Sequence, residues 1–157
     1  ATKPLGEGGD MHFAFGFSAQ AAQVAVDEET GKVQVLRIVA GADGGRALNP
    51  QAFLGQVEGS LVMGIGTALT EEYRFEGGIP QTRRWKDYKT PQMGDMPEMM
   101  IQIVEHPTST GPFGAKGVGE LPSIPTAPAI CNAIYHATGT RVYALPAKAE
   151  EIKKAGK

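Results

Sequence analysis

The sequence is poor in the residue types from which many chemical sites are built. Its 157 residues include one cysteine, Cys131, and three histidines, His12, His106 and His136. A single thiol excludes an internal disulfide framework and an iron–sulfur cluster held by this chain alone. The histidines lie far apart and lack the spacing of metal ligands. We therefore expect no metal ion ligated by the protein, and we place Cys131, on an apolar helical stripe, in the core rather than in a nucleophilic site.

Strong net charge and long hydrophobic runs are also lacking. The formal net charge is −2, which argues against a dedicated nucleic-acid or membrane-surface protein. No apolar run approaches a membrane span, and the N-terminus lacks the basic-then-apolar pattern of a signal peptide. We expect a soluble, cytoplasmic protein, with the periplasm as the alternative. The basic and aromatic residues 83–89 could suggest single-stranded nucleic acid, but an exposed loop or edge strand is the preferred interpretation.

Glycine, by contrast, is abundant. The chain has 21 glycines and 11 prolines without a repeating period, which excludes collagen, and the patterned apolar segments between them argue against disorder. The length fits a single domain over residues 1–157. Glycine in loops and at the ends of elements suits a chain whose backbone approaches a ligand closely.

The apolar pattern predicts an α+β fold. Residues 1–10 resemble a loop, whereas residues 11–26 and 33–40 show partial alternation that predicts an antiparallel hairpin. Asn49 suits an N-cap and Pro50 a first helical position, so a buried, glycine-rich helix is expected next. The remaining predicted elements are a strand at 99–104, a helix over 124–137 that ends at Gly139, and a terminal helix at 146–155. We expect the hairpin to pack with the glycine-rich helix and a C-terminal helical region, without βαβ alternation.

The glycine-rich helix has a face of small residues. Its members are Ala52, Gly55, Gly59 and Gly66. Because glycine costs helix propensity, about 1 kcal/mol relative to alanine, this face predicts either tight packing against a neighbouring element or room for Gln56 to reach a ligand. Glu58 lies among the apolar residues of the same helix. It is either a buried carboxylate paired with Arg46 or Arg74, or a sign that this face is partly open.

Residues 111–120 place four glycines, Lys116 and Glu120 in front of a proline-rich helix start. Successive free N–H groups in such a loop can form an anion-binding concavity, and Lys116 adds a positive charge. The loop lacks the Walker spacing, and no Gly-x-Gly-x-x-Gly follows a predicted strand. Glu120 is the best candidate for acid–base chemistry. The equal alternative is a carboxylate at a helix start that satisfies free N–H groups.

Three stretches together resemble the molybdenum-hydroxylase (xanthine oxidase) family. They are residues 16–27 with 43–50, Gln56-Val57-Glu58-Gly59 with its continuation to Glu72, and Gly114-Ala115-Lys116-Gly117-Val118-Gly119-Glu120. Their order and spacing agree with the family over nearly the whole chain. The similarity is to the closing portion of the large molybdenum subunit, so it implies the C-terminal part of a molybdenum-cofactor-binding subunit.

The resemblance implies a molybdenum–pterin cofactor, with the cytosine dinucleotide form as one candidate. The complete enzyme would oxidise an aldehyde or N-heterocycle with oxygen derived from water. Glu120 would be the catalytic base that deprotonates the metal-bound hydroxyl. The implied cofactor-binding residues are Gln56, Lys116, Gly117, Val118 and Gly119.

The resemblance also implies partners. These are the remainder of the molybdenum subunit, an iron–sulfur subunit that carries the clusters and a flavin subunit that carries FAD, together with a small-molecule substrate and no nucleic acid. The chain by itself would be inactive. The alternative is a non-catalytic domain of the same fold, kept for assembly or as an inactive remnant.

Overall fold

The computed structural model describes residues 14–155. In chain order the elements are β1 (Phe17–Val26), β2 (Val33–Asp43), α1 (Pro50–Leu69), β3 (Phe75–Glu76), β4 (Ile79–Pro80), α2 (Trp85–Tyr88), β5 (Glu98–Val104), α3 (Thr126–Thr138) and α4 (Ala149–Ala155). Single 3₁₀ turns lie at Met93–Asp95, Pro112–Gly114 and Leu121–Ser123. The predicted loop at residues 1–10 and the predicted start of the first strand at 11–13 lie outside the described residues.

The predicted antiparallel hairpin is confirmed. β1 and β2 pair along their whole lengths, from Phe17 opposite Asp43 to Val26 opposite Val33. In the turn between them, the carboxylate of Asp27 accepts hydrogen bonds from the backbone N–H groups of Glu29 and Thr30. Such a carboxylate replaces ladder partners that the turning backbone has lost. The hairpin therefore places Phe17 and Asp43 side by side at the end of the sheet where the glycine loops lie.

The third strand, β5, pairs with the other edge of β2 and runs parallel to it. Helix α1 lies in the connection between these two parallel strands, so β2, α1 and β5 form one βαβ crossover. The expectation of a chain without βαβ alternation is wrong at this point. The long polar segment between α1 and β5 carries turn signals of its own. Because of these turns, the sequence does not show that β5 runs parallel to β2.

Helices α1 and α3 cover one face of the sheet and build the core with it. The large side chains that are fully buried in this core include Ile38, Val57, Leu61, Ile130 and Ile134. The opposite face exposes large apolar side chains, among them Phe17, Val39 and Met100. The mixed α and β architecture agrees with the predicted fold class. Packing is thus one-sided, and the ends of α1 and β2 meet beside residues 111–120.

Helix α1 begins as predicted. The side chain of Asn49 accepts a hydrogen bond of 3.0 Å from the N–H of Ala52, and Pro50 occupies the first helical position. By length and composition alone, Pro50–Leu69 could cross a membrane, which corrects the expectation that no apolar run approaches that length. In this structure 44% of its most apolar stretch is buried, and its core side chains are Phe53, Val57, Leu61, Ile65 and Ala68.

The two C-terminal helices also agree with the predictions. α3 ends at Gly139, which adopts φ +74° and donates its N–H to the carbonyl of Tyr135. α4 occupies the later part of the predicted terminal helix. α3 approaches α1 at Gly64, where a Cβ atom would overlap the side chain of Thr126. Gly64 is therefore required by the close contact between the two helices.

Substitution of two glycines on α1 tests this contact. Gly64→Ala forces a methyl group into Thr126, and we expect it to lower the free energy of unfolding by about 1–3 kcal/mol. Gly59→Ala places its methyl group where the structure has nothing within 4 Å, so the gain in helix propensity raises the free energy of unfolding by up to about 1 kcal/mol. Urea unfolding of both variants measures the difference. Equal effects of the two substitutions would contradict the packing described here.

Candidate functional site

The candidate site is built on a buried ion pair between β2 and the glycine loop. Lys116 Nζ lies 2.7 Å from Asp43 Oδ2, and the two side chains are only 5% and 6% exposed. Asp43 Oδ1 also accepts a hydrogen bond of 2.8 Å from the N–H of Gly45. Burial by itself raises the pKa of Asp43, but the hydrogen bonds from Lys116 and Gly45 and the charge of Lys116 outweigh it and hold the pKa below its usual value. The carboxyl group of Asp43 is therefore ionised at neutral pH.

The pairing gives Lys116 a structural task that the sequence did not reveal. We expected its ammonium group to serve as a positive charge for an anion, but the structure directs it to Asp43. The ammonium also lies 5.9 Å from the centre of the Phe17 ring. Lys116 thus anchors the loop to the end of β2 through Asp43. Its direct contact with a cofactor stays a prediction.

Backbone hydrogen bonds join this loop to the turn that follows β2. The N–H of Lys116 donates to the carbonyl of Gly44 at 2.8 Å, and the N–H of Arg46 donates to the carbonyl of Gly114 at 3.0 Å. Gly45 adopts φ +69°, and a Cβ atom there would overlap the Gly114 carbonyl oxygen. Because glycine alone fits this approach without strain, the Gly44-Gly45 turn determines where the second loop lies.

Helix α1 contacts the far end of the same loop. Ser60 Oγ donates a hydrogen bond of 2.6 Å to the carbonyl of Gly119. Gln56, one turn earlier on α1, places its Oε1 3.9 Å from the position that a Cβ of Gly119 would occupy. The structure therefore brings Gln56 and Gly119 together, as the sequence predicted for one site. The predicted set lacked Ser60 and Asp43, because both lie in stretches that carry the resemblance but nothing in the sequence shows which group either side chain would bond.

The outer surface of the loop is open. The N–H groups of Gly117, Val118, Gly119 and Glu120 donate no hydrogen bond within residues 14–155, and a Cβ on Gly117 would meet nothing within 4 Å. The side chain of Glu120 is exposed and has no hydrogen-bond or ion-pair partner in that part of the chain. It does not cap the turn at Leu121–Ser123, so the helix-start alternative for Glu120 is not what the structure shows.

The small face of α1 is open in the same region. Among residues 14–155, Cβ atoms on Gly55 and Gly59 would meet nothing within 4 Å, whereas a Cβ on Gly66 would overlap Glu71. Tight packing, one of the two interpretations of this face, therefore applies at Gly66 and not at the other two glycines. Glu58 is exposed and has no ion pair among the described residues, so its position reflects the open face.

We give the name groove to the open α1 face, defined by Gly55, Gln56 and Gly59, together with residues 117–120, which Gln56 approaches. The groove offers free backbone N–H groups, the amide of Gln56 and the carboxylate of Glu120. Within residues 14–155, no group of three or more histidine, cysteine, aspartate or glutamate side chains could hold a metal ion. These donors fit a cofactor that brings its own metal ligands and presents polar oxygen or nitrogen atoms to the protein.

Two other sequence features lie outside the groove. Cys131 is half-buried on α3, and burial raises the pKa of its thiol, so it stays protonated at neutral pH. In the basic and aromatic segment, Arg84 forms an ion pair of 3.0 Å with Asp87 beside the exposed Trp85. Neither feature contributes to the site that the glycine loop builds.

Comparisons with known proteins agree on one family. The family model described as a molybdopterin cofactor-binding domain matches residues 2–97. The chain is 39% identical to the xanthine dehydrogenase molybdenum-binding subunit of Escherichia coli O157:H7 over 83% of its length. It is 41% identical to the aldehyde oxidoreductase of Megalodesulfovibrio gigas over 85% of its length. The crystal structure of the aldehyde oxidoreductase from Desulfovibrio desulfuricans ATCC 27774 superposes with a TM-score of 0.83 at 37% identity over 89% of the chain.

The chain is much shorter than these relatives. It spans 18% of the Escherichia coli protein, 15% of the Megalodesulfovibrio gigas protein and 15% of the chain in the Desulfovibrio desulfuricans structure. The similarity therefore concerns one part of larger proteins.

Removal of the ammonium group from the buried pair tests the basis of the site. Lys116→Met leaves Asp43 buried without its partner, and we expect a loss of about 3–5 kcal/mol in the free energy of unfolding near pH 7. Lys148→Met is the control, because Lys148 is half-exposed and lies 3.5 Å from Glu72. Its loss should be below about 1 kcal/mol.

The stability difference between wild type and Lys116→Met should depend on pH. The pKa of Asp43 in the folded protein lies below its ordinary value of 3.8, so the folded state binds fewer protons than the unfolded state around that pH. The contribution of the pair is therefore complete above the unfolded pKa and disappears as the pH falls through the folded pKa. The difference between wild type and Lys116→Met should narrow in acid, and a difference that is constant with pH would contradict the assignment.

Proposed function

The chain belongs to the molybdopterin cofactor-binding domain family, and on this premise we propose that the groove forms one side of a molybdenum–pterin site. The complete enzyme oxidises an aldehyde or N-heterocycle with oxygen derived from water. The observation that carries this proposal is the free carboxylate of Glu120, exposed at the end of a loop that Ser60 holds beside Gln56. A carboxylate held in this way is available to a reacting group, whereas a capping carboxylate would be occupied.

Glu120 acts as the general base in this proposal. The molybdenum–pterin group supplies the two-electron redox chemistry when it is bound. A carboxylate oxygen of Glu120 accepts the proton that the water-derived oxygen releases as it attacks the electron-poor carbon of the substrate.

The other residues of the groove bind rather than react. The amide of Gln56 and the free N–H groups of Gly117, Val118 and Gly119 are donors for polar atoms of the pterin. Gly55 and Gly59 let the cofactor approach the α1 backbone, since their Cα atoms face open space. Lys116 contributes by holding the loop through Asp43. The proposal includes the cytosine dinucleotide form of the pterin as one candidate for the cofactor.

The proposed partners follow from the size of the relatives. The remainder of the molybdenum subunit provides the other side of the site, and iron–sulfur and flavin groups on further chains carry electrons away. The Escherichia coli relative is named as a molybdenum-binding subunit, which supports an assembly of several chains. The exposed apolar face of the sheet supports the same idea, because monomeric proteins rarely expose large apolar patches. The cytoplasmic location stays a prediction.

Replacement of the base tests the proposal. In the complete molybdenum enzyme, Glu120→Gln preserves the volume of the side chain and removes its ability to accept the proton. We expect bound molybdenum to stay at the wild-type level and turnover with an artificial electron acceptor to fall by about 10²–10⁴-fold. Aldehydes and N-heterocycles are assayed as substrates, and metal content is measured on the same samples.

Glu76→Gln is the matched control, because Glu76 is an exposed carboxylate on β3 away from the groove. Its turnover should equal that of the wild type. Full activity of Glu120→Gln with bound metal would refute the assignment of the base. Absence of molybdenum and of turnover in the wild-type complex would favour the non-catalytic assembly domain instead.

A further inference from the structure

We propose that Ser60 is a positioning residue for Glu120, and that it sets the distance between this carboxylate and the cofactor-binding face of α1. The inference rests on the proposed function and adds to it a residue outside the predicted site. Ser60 acts through the backbone of the loop and not by contact with a reacting atom. Its hydroxyl group is the link between the helix that carries Gln56 and the loop that carries Glu120.

The geometry of Ser60 is that of a clamp. Its side chain is 2% exposed, and its hydroxyl group donates to the Gly119 carbonyl at 2.6 Å. Ser60 follows Gln56 by one helical turn, so both side chains leave the same face of α1. Ser60 holds Gly119 by this hydrogen bond, and the amide oxygen of Gln56 lies 3.9 Å from the position that a Gly119 Cβ would occupy. Gly119 directly precedes Glu120.

A second anchor lies on the other side of Glu120. The side-chain amide of Gln20, on β1, donates to the carbonyl of Pro122, and its oxygen accepts a hydrogen bond of 2.8 Å from the hydroxyl group of Thr126. Thr126 is fully buried at the start of α3. The carbonyl groups before and after Glu120 are therefore held by different elements of the core. Between them, the Glu120 carboxylate has no partner among residues 14–155.

This arrangement has a physical consequence for catalysis. The loop is ordered by hydrogen bonds that Ser60 and Gln20 donate to its backbone carbonyl groups. Both carboxylate oxygens of Glu120 therefore stay available to a reacting group. A base must lie within hydrogen-bond reach of the proton that it removes, and a displacement of about 1 Å can cost on the order of 10²-fold in rate. Loss of the Ser60 clamp should therefore reduce turnover through geometry, even though the loop is exposed and water can replace the lost hydrogen bond.

The test uses the complete enzyme loaded with its cofactor. For Ser60→Ala we expect kcat per bound molybdenum to fall at least tenfold, while KM and molybdenum content stay within twofold of wild type. In the loaded enzyme, where the proposed cofactor contacts protect the loop amides, hydrogen exchange over residues 117–123 should accelerate at least tenfold, because Ser60 no longer limits local opening of the loop. Thr67→Ala is the matched control, since the Thr67 hydroxyl group is exposed on the same helix and bonds only to the Met63 carbonyl.

Several outcomes would overturn the proposal. These are a kcat per molybdenum within twofold of wild type, an unchanged exchange rate over residues 117–123, or a loss of molybdenum that explains the loss of activity. If Ser60→Ala does not accumulate as folded protein, Ser60→Cys takes its place, because the thiol is a weak donor of similar shape. It should show the same changes at smaller amplitude, and unchanged kcat in this variant equally overturns the proposal.

The turnover of the two variants, Glu120→Gln and Ser60→Ala, separates this inference from the proposed function. If Glu120→Gln retains full turnover, the proposed base is wrong whatever Ser60 does. If Glu120→Gln is inactive but Ser60→Ala is fully active, the base is supported and the positioning role fails.

Discussion

The buried pair of Asp43 and Lys116 is the interaction on which the rest of the site depends. Asp43 is the last residue of the central strand, and Lys116 lies in the middle of the glycine loop. Taking both charges out of water is costly, so the pair forms only where the surrounding backbone completes its hydrogen bonds. The N–H of Gly45 does so from one side. Through this pair the sheet determines the position of a loop that has no regular secondary structure of its own.

Much of the fold follows from local sequence signals. The hairpin follows from partial alternation around a turn, and α1 and α3 follow from their caps at Asn49 and Gly139. The parallel return of β5 could not be predicted in this way, because its register depends on packing against β2 across a long polar segment. Local signals specify elements, whereas the pairing of distant strands is a tertiary property.

In the candidate site, too, residues in local motifs could be predicted and tertiary contacts could not. Gln56 and Glu120 were recognisable because each lies in a dense motif, and the structure places the first beside the loop that carries the second. Ser60 and Asp43 lie in the same motif stretches without a recognisable role of their own. Their importance appears only when their partners, the Gly119 carbonyl and Lys116, come within hydrogen-bond distance. The sequence likewise suggested Lys116 as a free positive charge, since nothing in the spacing shows that a strand end 73 residues away neutralises it.

The glycines of α1 fall into two groups, one required by packing inside the fold and one that leaves the helix surface open. Gly64 accommodates Thr126 inside the fold, whereas Gly55 and Gly59 face open space beside Gln56. The helix-propensity cost at the last two positions has no matching contact within residues 14–155, which is what we expect if an outside group approaches this face. Together with the free N–H groups of the loop, this supports the proposal that the groove is one side of a site completed by other parts of a larger protein.

Amide hydrogen exchange of the complete subunit, with and without its molybdenum–pterin cofactor, tests this account most directly. The account predicts that exchange at Gly117, Val118 and Gly119 slows on cofactor binding, because their free N–H groups acquire acceptors, while the exposed β3–β4 turn at residues 77 and 78 is unchanged. Unaltered exchange at all three loop residues in the loaded subunit would contradict the claim that the groove binds the cofactor.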